Sequence, residues 1–159
     1  MLFLLRDEGE FEGRMVGIDY SRASVQLCRK RMKALEEDQP ELGDIEFEEW
    51  DILHSAPRGN WNDGFDVVLD KGTFDAISLS DETDEAGRRI CEGYRGKVET
   101  LVKAGGNLVV TSCNWTEQEL KEWLVGGGLD AVDRVEYPVF KFGGQTGQSI
   151  STVCFRRKS

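Results

Sequence analysis

Three aspartates follow apolar runs of the chain that have the composition of strands. Asp19 ends "MVGID", Asp51 follows "IEFEEW", and Asp70 ends "FDVVLD". In an open α/β sheet, ligands bind in the crevice at the carboxyl ends of the strands. There Asp19 could accept hydrogen bonds from both ribose hydroxyls of an adenosine. Asp51 could accept one from the adenine amino group, while the N–H of Ile52 reaches a ring nitrogen. The spacing therefore predicts an adenosine site.

Each of these aspartates also has a purely structural interpretation. Asp19 could be a turn residue that helps to cap the next helix, although the order strand, acid, helix favours the ribose role. Asp51 could be a loop-entry residue, and its two interpretations stand equal. Trp50 could form a wall of the adenine pocket, but a core position is more common for such a residue. Asp19 alone does not separate NAD from other adenosine cofactors.

The second group of candidates lies in "LDKGTFDAI" (69–77) and "SCNWT" (112–116). Asp70 ends its strand, and Gly72 lets the main chain approach a ligand closely. Asn114 and Trp115 follow the next strand and would face the same crevice as Asp70. An aromatic ring there could hold a lysine stem or a cation against its face. Taken singly, each residue fits a structural role better.

The composition limits the classes of partner. The formal net charge is −10 and the pI is near 4.7, which argues against a nucleic-acid binder that neutralises phosphates. An acidic surface suits a basic protein partner, although a solvated surface needs none. No apolar run approaches the ~18 residues of a membrane span, and "MLFLL" lacks the basic region of a signal peptide. We expect a cytosolic protein with no nucleic-acid or membrane partner.

Cysteine and histidine usage restricts the possible chemistry. The four cysteines are far apart and form no C-x-x-C pair, so they are expected to be free thiols or small buried hydrophobes. His54 is the single histidine and lies in a polar segment with no obvious partner. We therefore expect no metal site and no Ser/His or Cys/His catalysis.

The elements that must position these residues follow from periodicity and capping signals. The first part of the chain predicts a helix end over 1–6, a strand over 15–19 and a helix over 21–37 that begins after the N-cap Ser21. It then predicts a second strand over 45–52, with Ile45 and Phe47 on one face, and a loop over 54–64. Gln39-Pro40 would stop the long helix.

The second part predicts a strand over 65–70, a long helix from residue 83 through Leu101 that Gly105-Gly106 ends, and a strand over 107–113. Thr116 and Glu119 form a capping box for the next helix. Two strands, 133–142 and 149–157, would form a hairpin around "GGQTGQ". The fold class is thus α/β, a mostly parallel sheet with helices on both faces and one antiparallel strand. Residues 65–69 and 108–111 should be buried on both faces.

Four segments together resemble a known family: "VGIDYS", "LDKGTFDAISL", "GNLVVTSCNWTEQEL" and "FKFGGQTGQSIS…CF". They are similar to the lysine methyltransferases that modify translation elongation factor 1-alpha, of the seven-stranded, S-adenosylmethionine-dependent class. The resemblance covers about residues 1–157. It implies a Rossmann-like seven-stranded methyltransferase sheet with a C-terminal antiparallel hairpin. It also implies a protein substrate, elongation factor 1-alpha.

Members of this family begin the domain with a strand and a D-x-G-x-G-x-G loop, followed by a helix. This chain resembles one that starts inside that helix. The resemblance therefore implies a single truncated methyltransferase domain over 1–159, with the first central strand missing. Two interior strands would lose their partner, and the cofactor would lose half of its contacts. We accordingly expect weak S-adenosylmethionine binding and poor solubility.

The resemblance also implies a mechanism. A neutral lysine amine attacks the methyl group of the sulfonium, and a desolvated pocket lowers the lysine pKa from about 10.4. Most of the catalysis would be positioning, and no catalytic base is assigned. The implied cofactor-binding residues are Asp19, Tyr20, Asp51, Ile52 and Asp70. The implied substrate-lining residues are Lys71, Gly72, Thr73, Phe74, Asn114, Trp115 and Phe142, the last at the start of a substrate-side loop, 142–147.

Two other functions remain open from the sequence. One is a nicotinamide-dependent oxidoreductase on the same kind of sheet, which the terminal hairpin and the lack of a second nucleotide-binding half disfavour. The other is a non-catalytic remnant that acts as an interaction protein, which the missing glycine loop favours.

Overall fold

The computed structural model describes residues 1–9, 11–38, 45–61, 63–138, 140–142, 145–147 and 149–159. The chain divides into two units, Met1–Ser55 and Ala56–Ser159. The first unit contains α1 (Leu2–Asp7), β1 (Met15–Asp19), α2 (Arg22–Asp38) and β2 (Ile45–Glu49). The second contains β3 (Phe65–Lys71), α3 (Thr73–Ser78), α4 (Tyr94–Leu101), β4 (Val102–Ser112), α5 (Glu117–Leu124), β5 (Leu129–Val135), β6 (Phe140–Phe142), β7 (Gln145–Gly147) and β8 (Ser151–Arg157).

The first unit is a strand–helix–strand unit, as the sequence predicts. β1 and β2 are parallel, and Met15 lies opposite Ile45. Helix α2 starts one residue after Ser21, whose Oγ accepts from the Ser24 N–H at 3.4 Å. It ends at Asp38, and the predicted Gln39-Pro40 stop lies outside the described residues. Parallel strands need such a crossover connection, so this part of the fold is confirmed.

The second unit is built on a four-stranded sheet with the order β3-β4-β8-β5. β3 and β4 are parallel, whereas β8 runs antiparallel to both β4 and β5. The β5–β8 pair confirms the predicted terminal antiparallel pairing. One face of the sheet and the helices α4 and α5 form the core, in which the fully buried residues include Leu108, Val110, Leu120, Leu124, Val153 and Phe155.

The opposite face of this sheet is more open. Leu69, Val109 and Cys154 are neighbours in register across it. Within the described part of the chain, β3 pairs with β4 alone, and the exposed fractions of Val67 and Leu69 are 48% and 36%. The prediction that residues 65–69 are buried on both faces is therefore wrong for this structure, because β3 is an edge strand. In β4, Leu108 and Val110 are buried, and Val109 is half-buried.

The long helix predicted from residue 83 is shorter than its periodicity indicates. Thr83 and Arg89 form an antiparallel bridge, a 3₁₀ turn covers Ile90–Gly93, and α4 begins at Tyr94. The helix ends at Leu101, so Gly105-Gly106 does not end it and lies inside β4 instead.

Gly105-Gly106 lies where the pairing of β4 with β3 is irregular. The β3–β4 register shifts between Phe65 and Val67, which lie opposite Val102 and Asn107. Gly105 has φ +76°, and a Cβ on Gly106 would lie 2.9 Å from the Asp66 carbonyl oxygen. Positive φ and close backbone approach are what a β-bulge requires, and a helix end uses glycine for the same freedom.

The predicted strand over 133–142 is divided. β5 begins earlier, at Leu129, and ends at Val135, while β6 pairs with β7 in a separate two-stranded sheet. Gly143, Gly144 and Gln148 of the predicted turn lie outside the described residues.

All four cysteines are free, as expected. Along the part of the chain that the structure describes, no helix has both the length and the apolar character of a membrane span.

Candidate functional site

Asp19 lies at the carboxyl end of β1 and makes a turn contact. Its Oδ1 accepts from the Ser21 N–H at 2.7 Å, which is the capping role that the sequence left open. The adjacent Tyr20 side chain is 76% exposed. One carboxylate oxygen has several acceptor sites, so the turn contact and a ribose contact are compatible. The ligand roles of Asp19 and Tyr20 stay predictions.

Asp51 follows the carboxyl end of β2 and has a partner that the sequence reasoning missed. Its Oδ2 lies 2.9 Å from Nδ1 of His54, so the expectation that His54 has no partner is wrong. Its Oδ1 accepts from the N–H groups of Leu53 at 2.9 Å and His54 at 3.2 Å. The loop-entry role is therefore present in the structure.

Competing effects determine the charge of Asp51. Burial would raise the pKa of its carboxyl group, but the hydrogen bonds from the His54 ring and from two backbone N–H groups hold the pKa below its ordinary value. Asp51 is therefore an ionised acceptor at neutral pH, as an adenine amino group would require. Ile52 and Trp50 are buried, with 8% and 6% of their surface exposed, which fits the core interpretation of Trp50.

Asp19 and Asp51 lie at the same edge of the β1–β2 pair. The two strands are parallel, and the Trp50 N–H donates to the Asp19 carbonyl oxygen at 3.0 Å, so the two carboxylates follow neighbouring strand ends. This edge is where an α/β sheet binds its ligand. Asp70 belongs to the other unit, and its place at a common edge with these two residues stays a prediction.

Asp70 is a buried carboxylate that holds the start of α3. Its Oδ1 accepts from the Thr73 N–H at 2.8 Å and its Oδ2 from the Phe74 N–H at 3.0 Å. The Tyr94 hydroxyl also donates to Oδ2. Gly72 precedes the helix with φ 88°, a conformation that favours glycine.

Burial dominates the titration of this pair. Burial raises the pKa of Asp70 above its ordinary value, against the lowering effect of the hydrogen bonds from Tyr94 and from the backbone. Burial and the neighbouring Asp70 charge raise the pKa of Tyr94 well above its ordinary value. All three hydrogen bonds to Asp70 are structural, and its predicted role at the methyl-donor end stays a prediction.

The residues after Asp70 have very different exposures. Lys71 and Thr73 are exposed and Gly72 is half-buried, whereas Phe74 has only 1% of its surface exposed. The Phe74 ring lies in an aromatic cluster, with centroid distances of 5.0 Å to Tyr94, 6.2 Å to Trp115 and 5.6 Å to Trp123. Phe74 is therefore a core residue of the second unit, and Lys71 and Thr73 are the accessible members of this segment.

Asn114 and Trp115 lie in a loop that is bound to α3 by residues the sequence reasoning missed. Asp75 accepts from the Ser112 hydroxyl and, at 2.9 Å, from the Cys113 N–H. Ser112 Oγ in turn accepts from the N–H groups of Asn114 at 3.1 Å and Trp115 at 2.9 Å. A serine at a strand end before polar residues is typical of such turns, and that signal could have identified Ser112.

The remaining predicted residue is Phe142. It lies in β6, where it is paired with Gln145, and its side chain lies outside the described part of the structure, as do Gly143 and Gly144 of the predicted substrate-side loop. Among the residues that the structure describes, no three His, Cys, Asp or Glu side chains are grouped to hold a metal ion. The first unit offers hydrogen-bond acceptors at strand ends, and the second unit offers an aromatic cluster beside an exposed loop.

The comparison with protein families identifies the class. Residues 1–135 match the family model described as "Methyltransferase domain". This match covers most of the chain and includes the strand ends that carry Asp19, Asp51 and Asp70. The chain belongs to this methyltransferase-domain family.

Curated relatives confirm the narrower resemblance. The chain is 39% identical over 160 residues to the protein-lysine N-methyltransferase EFM4 of Saccharomyces cerevisiae, covering 100% of this chain and 66% of that protein. It is 35% identical to the EEF1A lysine methyltransferase 2 of Danio rerio and 31% identical to that of Homo sapiens, each over 90% of this chain and 56% of the relative. The chain thus spans less than two thirds of the length of these relatives.

Solved structures support the fold. An S-adenosylmethionine-dependent methyltransferase from Clostridium acetobutylicum superposes with TM-score 0.65 at 12% identity, covering 92% of this chain and 76% of that one. The N-methyltransferase NodS of Bradyrhizobium japonicum, in complex with S-adenosyl-L-homocysteine, gives TM-score 0.57 at 16% identity over 92% of this chain and 67% of that one. At these identities the likeness concerns the fold alone, and the predicted Rossmann-like methyltransferase class is confirmed.

Proposed function

We propose that this chain carries the catalytic domain of a protein-lysine N-methyltransferase that uses S-adenosylmethionine and acts on translation elongation factor 1-alpha. The observation that carries the proposal is the similarity, over 90% or more of the chain, to relatives named for protein-lysine methylation and, in two cases, for EEF1A as the substrate. The cytoplasm, where the elongation factor works, is the proposed location. The net charge of −10 supports a basic protein partner and disfavours nucleic acid.

The residues of the first unit would bind the adenosine part. Asp19 would accept from the ribose hydroxyls, and the ionised Asp51 would accept from the adenine amino group. Hydrogen bonds from His54 and from two backbone N–H groups fix the Asp51 carboxylate, which supports this role. Tyr20 and Ile52 follow the two acids directly and would complete the adenosine site.

The residues of the second unit would position the substrate lysine. When bound, S-adenosylmethionine supplies an electrophilic methyl group on a sulfonium. Asp70 would lie at the methyl-donor end. Lys71, Gly72, Thr73, Asn114, Trp115 and Phe142 would surround the lysine, with Phe74 behind them in the core. No side chain is assigned as a base, because removal of water from around the amine is sufficient to lower its pKa. The catalytic contribution of the chain is alignment of the amine with the methyl group.

The proposal is tested by methyl transfer. The purified chain is incubated with S-adenosylmethionine carrying an isotope-labelled methyl group and with unmethylated elongation factor 1-alpha, and the lysine is identified by mass spectrometry. At an S-adenosylmethionine concentration high enough to offset the weak binding that the sequence predicts, we expect labelled lysine with the unaltered chain and a strong reduction with Asp51→Ala. Asp84→Ala, which changes an exposed turn on the other unit, is the matched control. Cofactor binding without labelled product would refute the proposal in favour of a non-catalytic binding protein.

A further inference from the structure

The loop between β4 and α5 is attached to α3 by three side chains, Asp75, Ser78 and Ser112, which we call the loop anchor. We propose that Asp75 is a positioning residue for the substrate lysine: through Ser112 it fixes the loop that carries Asn114 and Trp115. These two side chains then meet the lysine in one arrangement. This inference rests on the proposed function and assigns a role to Asp75 and Ser112, which lie inside the two motifs but are not among the candidate site residues of the sequence.

The anchor holds three consecutive backbone N–H groups. A carboxylate only accepts hydrogen bonds, so the Ser112 hydroxyl must donate its one proton to Asp75. Both lone pairs of Ser112 Oγ then accept, from the N–H groups of Asn114 at 3.1 Å and Trp115 at 2.9 Å. The second oxygen of Asp75 accepts from the Cys113 N–H at 2.9 Å. The loop backbone is therefore determined from residue 112 to residue 115.

The anchor also fixes the Trp115 ring. The indole Nε1–H donates to Ser78 Oγ at 2.8 Å, and the Ser78 hydroxyl donates to the Asp75 carbonyl oxygen at 3.0 Å. The Trp115 ring centroid lies 5.9 Å from that of Trp123. The side chain of Trp115 is thus bound directly to Ser78 of α3, and its main chain is bound to α3 through Ser112 and Asp75, so the ring has one orientation relative to Asn114.

The connection between β4 and α5 does not itself require this anchor. The first turn of α5 has its own capping box, in which Thr116 and Glu119 satisfy each other's backbone N–H groups. Cys113 and Asn114 are exposed, so water could satisfy their N–H groups. In the structure, however, the Asp75 carboxylate and the hydroxyl of Ser112, a residue with 1% of its surface exposed, bind the N–H groups of this exposed loop. Such rigidity is what alignment of a reacting amine demands.

The test uses matched variants and two independent measurements. Asp75→Ala and Ser112→Ala remove the anchor, and Ser112→Thr keeps its hydroxyl. Asp84→Asn is the control, because Asp84 accepts hydrogen bonds from Ala86 and Arg88 of its own turn. Amide hydrogen exchange measures the N–H groups of residues 113–115. Steady-state kinetics measure kcat and KM for elongation factor 1-alpha, and calorimetry measures S-adenosylhomocysteine affinity.

We expect roughly ten-fold faster exchange at residues 113–115 in the Ala variants. We also expect a fall of roughly ten- to a hundred-fold in kcat/KM for the protein substrate, with unchanged S-adenosylhomocysteine affinity. Ser112→Thr should restore both properties, and Asp84→Asn should change neither.

Two results would overturn the inference while the proposed function stands. One is faster exchange with unchanged kinetics, which would show that the loop geometry does not matter for the lysine. The other is a parallel loss of cofactor affinity and stability, which would show that the anchor only maintains the fold. If the unaltered chain transfers no methyl group, the proposed function fails, and this inference fails with it. Amide exchange needs no methyl transfer, so it still shows whether Asp75 and Ser112 fix the loop when the proposed function fails.

Discussion

At the scale of single residues, the acids at the strand ends are bound into the protein more tightly than their positions in the sequence suggest. Asp19 and Asp51 both hold backbone N–H groups of the following turn, and Asp70 holds the start of α3. The sequence could identify these acids as candidate site residues because each lies at the end of an apolar run. It could not predict Asp75 and Ser112, because their contact joins residues 37 positions apart and leaves no periodic signal.

Asp19→Asn separates the two roles of Asp19. The amide oxygen can still accept from the Ser21 N–H, so the turn should persist, whereas the charge for the ribose hydroxyls is lost. We expect S-adenosylhomocysteine binding to weaken by about 1–3 kcal/mol with little change in the unfolding midpoint. Calorimetric titration beside urea denaturation measures both quantities, and unchanged affinity would refute the ribose role.

Tyr94→Phe tests the buried pair of Tyr94 and Asp70. Loss of the hydroxyl removes a donor from a buried carboxylate and should destabilise the second unit by about 1–3 kcal/mol at pH 7. Because the pKa of Asp70 is raised in the folded state, its contribution to stability is greatest at acid pH and is lost as the pH rises through that value. The Tyr94 hydroxyl favours the ionised form of Asp70, so the destabilisation by Tyr94→Phe should shrink as the pH falls and Asp70 becomes protonated.

Urea denaturation at several pH values measures this effect. Tyr137→Phe is the control, because the Tyr137 hydroxyl bonds the neutral Thr152 hydroxyl at 2.8 Å. Its effect on stability should show no comparable pH dependence. Equal destabilisation by Tyr94→Phe across the pH range would contradict the buried-charge interpretation.

At the scale of elements, the parts with a single dominant signal were predicted correctly. The helix after Ser21, the strand over 15–19 and the capping box at Thr116 agree with the structure. The helix before β4 was predicted too long, because apolar residues at helical spacing continue through a 3₁₀ turn and a bridge. Gly105-Gly106 was misassigned because a helix end and a β-bulge use the same backbone freedom.

Two glycine substitutions, one in the β4 bulge and one in helix α4, test whether the bulge requires glycine. Gly106→Ala should destabilise the second unit by roughly 1–3 kcal/mol, since its Cβ would lie 2.9 Å from a backbone oxygen. Gly96→Ala lies in α4 with open space around the new Cβ and should stabilise by about 0.5–1 kcal/mol through helix propensity. Thermal unfolding of both variants measures the difference, and a neutral Gly106→Ala would contradict the close approach.

At the scale of the whole molecule, the unpaired edge of β3 is the feature that we expect to cause self-association. β3 carries Val67 and Leu69 on its exposed side, and its outer edge pairs with no other strand in the described ranges. Apolar composition alone predicted burial on both faces, because composition does not report which neighbours are present, whereas the family resemblance implied that two interior strands would lose their partner. Such edges promote association between chains.

Val67→Lys should therefore reduce self-association of the purified chain without loss of the folded state. Light scattering coupled to size-exclusion chromatography gives the mass, and circular dichroism checks the fold. Leu79→Lys replaces a residue that is 69% exposed and directly follows α3 rather than lying in a strand, and should have little effect. A monodisperse monomer of the unaltered chain at high concentration would contradict this expectation.

The place of β8 in the sheet also governs how the molecule can be made. β8 follows β5 in the chain but lies between β4 and β5, and it bonds both. During synthesis, β4 and β5 emerge first and have no ladder between them until residues 151–157 have been added. Until then the growing polypeptide leaves the edges of β4 and β5 without their shared partner. Completion of the second unit therefore waits for residues 151–157, and its rate is set by long-range pairing.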